Sequence, residues 1–150
     1  DKPLSIRSDE LEAIESDGRR RLLFTSKVQI EQGELLVNSD RLEALYPPGG
    51  SQPDTLVASG HVRVSQAKRR MLCDKATFFQ TEDRLLCVGN AELQQGDDRV
   101  RGREIEIFIK QNRVKVRGGA TVNVTPSQGD GKSAPTAKAA PAGKSGKAKP

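Results

Sequence analysis

The sequence predicts an all-β fold of about eight antiparallel strands that does not close on itself. Three observations predict it: an internal repeat, period-two alternation within each repeat, and turn residues where a helical crossover would otherwise be needed. Segments 22–30, 56–64, 85–93 and 114–122 superpose without gaps, at spacings of 34, 29 and 29 residues. Their fifth position is Ser26, Gly60, Gly89 and Gly118. The longer first spacing reflects an insertion at residues 47–53, rich in Pro and Gly. A fixed period of this length marks a repeat architecture.

Each element follows from its own residues. In the first strand of each repeat one face carries Leu22, Phe24, Val28 and Ile30, then Leu56, Ala58, Val62 and Val64, then Leu85, Cys87, Ala91 and Leu93, and last Val114, Val116, Ala120 and Val122. The other face carries Lys27, Gln29, His61, Arg63, Asn90, Glu92, Lys115 and Arg117. Strict alternation means strands with one dry and one wet face. A second strand follows at 35–44, 71–78 and 100–107, reached through polar turns such as 31–34 and 95–98. An N-terminal partial copy occupies 8–13. Asp9 and Glu12 also fit a helix capping box, but the same Ser-Asp-x-Leu-Glu-Ala string recurs at 39–44 inside the repeat, which favours strand. Glycine inside a strand marks a bend or a close approach. Bending every long strand on one line folds the sheet into a V-shaped trough with an apolar inside.

Composition narrows the function. The chain has 150 residues, 34% hydrophobic and 30% charged, with no Trp, one His and two Cys. No stretch approaches the ~18 apolar residues of a membrane-spanning helix. The net charge of +5 divides unevenly: residues 126–150 hold five Lys and one Asp, so the body is nearly neutral. A nucleic-acid-binding body needs clustered basic charge, so no nucleic acid is expected. The two domains of composition are a 1–125 β body and a 126–150 tail of Ala, Lys, Pro, Gly and Ser. The tail is too apolar-poor to order itself. It reads as a solvated extension, with weak contact to anionic lipid as the alternative.

No catalytic constellation emerges, and neither an enzyme nor a cofactor is expected. His61 sits on the wet face without a nucleophile. Asp9, Asp40 and Asp74 recur at one repeat position, about 9–10 Å apart in a stack, too far to share a metal. A carboxylate satisfying backbone donors at a bend is the expected role. Glu104 and Glu106 read as part of a solvated face. Cys73 and Cys87 both face inward on consecutive strands, where a disulfide and two buried thiols are equal alternatives.

The string Phe-Thr-Ser-Lys-Val-Gln-Ile-Glu-Gln-Gly-Glu-Leu-Leu-Val-Asn-Ser-Asp-Arg-Leu-Glu at 24–43 resembles the OstA-like repeat of the LptA family, periplasmic proteins of lipopolysaccharide transport in Gram-negative bacteria. Segments 58–66, 89–96 and 100–105 and the opening 2–11 are similar to it as well. The resemblance covers residues 1–125. It implies an antiparallel β-jelly roll, or β-taco, open at both ends and located in the periplasm. Such a domain holds the acyl chains of lipid A inside and joins head-to-tail with copies of itself and with LptC-like and LptD-like OstA domains. No anchor helix precedes Lys2 and no barrel follows in this sequence, which favours the LptA type.

The groove expected from parity and resemblance is lined by Leu22, Phe24, Val28, Ile30, Val37, Leu42, Val62, Val64, Met71, Phe78, Leu85, Leu93, Ile105, Ile107, Val116 and Val122. The assembly edges expected for joining carry Ile6, Leu11, Val114, Val116 and Val122. Aromatic platforms for sugar are lacking, whereas flexible acyl chains need only an apolar groove. The competing reading is a structural β-solenoid assembly module whose inside is a packed core with no ligand.

Overall fold

The computed structural model describes residues 2–124. One antiparallel sheet holds ten strands. They are β1 (Ser5–Arg7), β2 (Glu10–Ser16), β3 (Arg19–Gln32), β4 (Leu35–Leu45), β5 (Thr55–Gln66), β6 (Arg69–Phe79), β7 (Arg84–Gln95), β8 (Asp98–Phe108), β9 (Arg113–Arg117) and β10 (Thr121–Asn123). Strands β3 to β8 pair in sequence order. Strands β1 and β2 lie end to end along β3, and β9 and β10 lie end to end along β8. The ten strands therefore form eight rows, the number expected, with each outer row split in two. The split of 114–122 between Arg117 and Thr121 was not foreseen.

Every long strand bends. The ladders shift register between Thr25 and Val28, Asn38 and Arg41, Ser59 and Val62, Leu72 and Lys75, and Val88 and Ala91. These shifts and the breaks in the outer rows fall on one line, a crease dividing the sheet into two leaves. At the crease two successive residues have left-handed backbone: Ser26–Lys27, Gly60–His61, Gly89–Asn90 and Gly118–Gly119. Glycine at 60 and 89 is sterically required as well as convenient. A Cβ on Gly60 would lie 2.7 Å from Asp40 Oδ2, and one on Gly89 2.6 Å from Asp74 Oδ2.

The N-terminal copy is strand β2 and not helix. Its hairpin to β3 turns on Asp17–Gly18, both with positive φ, as the twist of a two-residue hairpin demands. One connection departs from the expected plain turns: residues Gln80–Glu82 form a 3-10 turn. No helix of the described residues is long and apolar enough to cross a membrane. The tail expected at 126–150 lies outside the described residues.

Candidate functional site

Register carries the alternating sequence into continuous apolar rows on the inner surface. On one leaf a row runs Leu22, Ala44, Leu56, Phe78, Leu85, Ile107 and Val114. Beside it runs Phe24, Leu42, Ala58, Ala76, Cys87, Ile105 and Val116. The other leaf carries Ile6, Ile30, Val37, Val64, Met71, Leu93, Val100 and Val122. Val28 and Val62 sit at the crease. The middle of these rows is one buried cluster. An apolar gap between the leaves is lined by Ile30, Leu35 and Val37 on one side and by Leu42, Leu56, Ala58, Ala76, Phe78 and Leu85 on the other.

Of the expected groove residues, Phe24, Val28, Ile30, Val37, Leu42, Val62, Val64, Met71, Phe78, Leu85, Leu93, Ile105 and Ile107 are buried inside. Leu22 and Val116 are half-buried beside them. Val122, expected both in the groove and at an assembly edge, is 40% exposed, because among the described residues its row ends there. Leu11, at the opposite end, is 58% exposed for the same reason. Among the expected edge residues, Ile6 and Val114 are half-buried against the core. Among the described residues, strands β1 and β2 pair only with β3, and β9 and β10 only with β8, so both edges of the sheet lack a strand partner there.

The outer side of the crease carries a repeated polar contact. Asp9 accepts from Ser26 Oγ at 3.1 Å, Asp40 Oδ2 lies 2.8 Å from His61 Nδ1, and Asp74 accepts from Asn90 Nδ2 at 3.4 Å. Each aspartate meets a side chain of the following strand's bend, where backbone donors were expected. In the last copy Arg103 takes the aspartate's place against Gly118.

Glu106 corrects the expected solvated face. It is 5% exposed and accepts from Arg84 Nη1 at 2.6 Å and Arg117 Nη2 at 2.8 Å. Arg84 also lies over the Phe79 ring and pairs with Glu82. Burial pushes the Glu106 carboxyl up, but the hydrogen bonds from Arg117 and Arg84 outweigh it and hold it below the usual carboxylate range. Glu104, half-exposed, meets Arg117 at 3.3 Å. The network fastens β9 to β8 and β7. The cysteines are free and buried. Cys73 lies 3.4 Å from the Lys75 carbonyl oxygen, and contact with Cys73 together with burial pushes the Cys87 thiol up.

A family model described as LptA/(LptD N-terminal domain) LPS transport protein matches residues 5–113. The chain belongs to this family. The lipopolysaccharide export system protein LptA of Escherichia coli K12 is 25% identical over 151 residues, covering 85% of this chain and 74% of that protein. The LptA of Shigella flexneri matches equally. Among solved structures, LptH from Pseudomonas aeruginosa superposes with a TM-score of 0.73 at 14% identity, covering 83% of this chain and 96% of that one. It is described as the LptA-homologous periplasmic component of the lipopolysaccharide transport device. The fold is therefore the open, LptA-like β-jelly roll that the resemblance implied, and the family is one of lipopolysaccharide transport.

Sequence reasoning missed the inner row nearest the rim. It runs Gln32, Leu35, Gln66, Arg69, Gln95 and Asp98. Extending the period-two parity two residues beyond each apolar row would have found it.

Proposed function

We propose that this chain is a periplasmic carrier that holds the acyl chains of lipopolysaccharide (lipid A) between its leaves. It would bridge membranes by pairing its C-terminal edge with the N-terminal edge of the next OstA-like domain, whether a second copy or an LptC-like or LptD-like partner. The observation that carries this reading is the run of apolar rows to both ends of an unclosed sheet, ending in exposed Leu11 and Val122 beside unpaired strands. Edge groups without partners are templates for another strand. Contact between two different edges propagates as a filament. The names of the relatives support lipopolysaccharide as cargo and the periplasm as the compartment.

Photocrosslinkers placed at Val64 and Leu93 are expected to capture lipopolysaccharide, and those at neighbouring Arg63 and Glu92 to stay blank. Equal labelling from both faces would overturn the acyl-chain reading. Proline at Val116 and Thr121 is expected to abolish concentration-dependent association in light scattering. Unchanged association would overturn the edge pairing.

A second reading, an assembly module with a packed core, is favoured by the low exposure of the inner rows. The two separate on a fluorescent fatty-acyl probe, which a packed core leaves in solution.

A further inference from the structure

Opposite the crease the two leaves meet along a mouth. Arg69 begins β6 at one rim, and Asn112 lies in the turn after β8 at the other. Extended, the 11 residues of β6 measure about 36 Å, so these two rims touch only because the sheet has folded over. Arg69 Nη2 donates to Asn112 Oδ1 across the mouth.

The rim row Gln32, Leu35, Gln66, Arg69, Gln95 and Asp98 shares the inward parity of the apolar rows. Arg69 is its cation. By the same parity Gln80 and Asn112 belong to the facing rim. Two amide atoms here, Gln66 Oε1 and Gln80 Nε2, are buried with no partner. A buried polar atom without a protein partner takes one from water or from a ligand. The Arg69 guanidinium is also poorly served, since its fork of donors is matched to a carboxylate or phosphate and here it meets a neutral amide. Burial pushes its pKa down. Lys68 and exposed Arg70 flank it on the same rim turn. From inside to mouth the surface thus passes from apolar side chains to a polar row, in which amides flank the Arg69 cation and Asp98 stands one strand beyond Gln95. That is the order of an acyl chain followed by the polar, anionic end of an amphiphile.

Resting on the acyl-chain reading above, we propose that Arg69 is a phosphate-binding residue of the mouth. When the leaves part around acyl chains, its guanidinium exchanges Asn112 for a phosphate monoester on the amphiphile's headgroup. The amides of Gln66, beside it, and Gln80, on the facing rim, meet the neighbouring polar linkages.

The test uses displacement of a fluorescent fatty acid by an acylated glycolipid phosphate monoester, and by the same glycolipid after phosphatase treatment. Wild type is expected to prefer the phosphorylated form about tenfold, the worth of one charge-assisted bidentate contact. Arg69→Ala is expected to bring the ratio near one, and Arg69→Lys to keep part of it. Asn112→Ala, which releases the latch and keeps the cation, is expected to tighten binding of the phosphorylated form. An unchanged ratio in Arg69→Ala, in a variant whose circular dichroism matches wild type, would overturn the proposal. Capture of both forms equally by wild type overturns this assignment alone, whereas capture of neither overturns the acyl-chain reading with it. Inorganic phosphate at millimolar concentration is expected to leave the preference intact. If it erases the preference, the site takes free anion and the headgroup assignment falls.

Discussion

Replacing Val62 by glutamate puts a carboxyl on the inner surface at the crease. Val62 is 1% exposed, next to the bend at Gly60–His61 and opposite Cys73 of β6. Its burial contributes about 1.5–3 kcal/mol. The new carboxyl faces aliphatic neighbours and takes up a proton rather than stay ionised there. From an ordinary pKa of about 4.3, that protonation costs about 4 kcal/mol at pH 7 and about 1 kcal/mol at pH 5. The expected loss is therefore about 6 kcal/mol at pH 7 and about 3 kcal/mol at pH 5, with the valine term included. The sign follows from a folded-state pKa raised above the unfolded one: the variant regains stability as pH falls. Arg63→Glu, one residue on and on the exposed outer face, is expected to change stability by less than about 1 kcal/mol. Urea titrations at both pH values and capture of a fatty-acyl probe measure all of this. Equal losses in the two variants, or a Val62→Glu deficit indifferent to pH, would refute the assignment of faces.

Three further outcomes follow from particular contacts. Gly89→Ala forces a Cβ to 2.6 Å from Asp74 Oδ2 at φ +92, and is expected to cost about 3 kcal/mol in urea unfolding; Asp74→Gly in the same chain recovers the clash but not the strained φ, so the two changes are not additive. Glu106, held low by its arginines, contributes stability that is present above the unfolded carboxyl pKa and lost as pH falls through its own lowered value. Glu106→Gln is expected to cost about 2 kcal/mol at pH 7 and to flatten that acid limb in melts from pH 7 to pH 3. Residues 126–150 contain no Val, Leu, Ile, Met or aromatic side chain, so deletion of 127–150 is expected to move Tm by less than about 4 °C.

The parts of the fold that repeat were legible in the residues. Leu56, Ala58, Val62 and Val64 keep one parity across Gly60, and the same spacing at 22–30 and 85–93 marked both the inner face and the crease. What the sequence hid depends on closure. Glu106 reads as a wet-face residue until Arg84 from β7 and Arg117 from β9 fold over it. Arg69 and Asn112 are 43 residues apart and at opposite rims of the extended sheet, so no local pattern joins them. The split of the last repeat is a boundary effect. Gly118 and Gly119 are both left-handed, and among the described residues no strand on their outer side holds the chain in register until Thr121. Val122 is exposed there although its parity is inward.

Because the interruptions of all five internal ladders and of both outer rows lie on one line, each leaf has its own ladders, and at the crease the leaves are continuous through single chains. The molecule is built like a book whose spine carries a left-handed residue pair in every second row. Its internal width is set by the angle of that spine, not by the number of strands, as it would be in a closed barrel. Torsion spread over the eight rows can widen the inside without removing a ladder hydrogen bond, so the gap between the leaves is adjustable within one unbroken set of ladders.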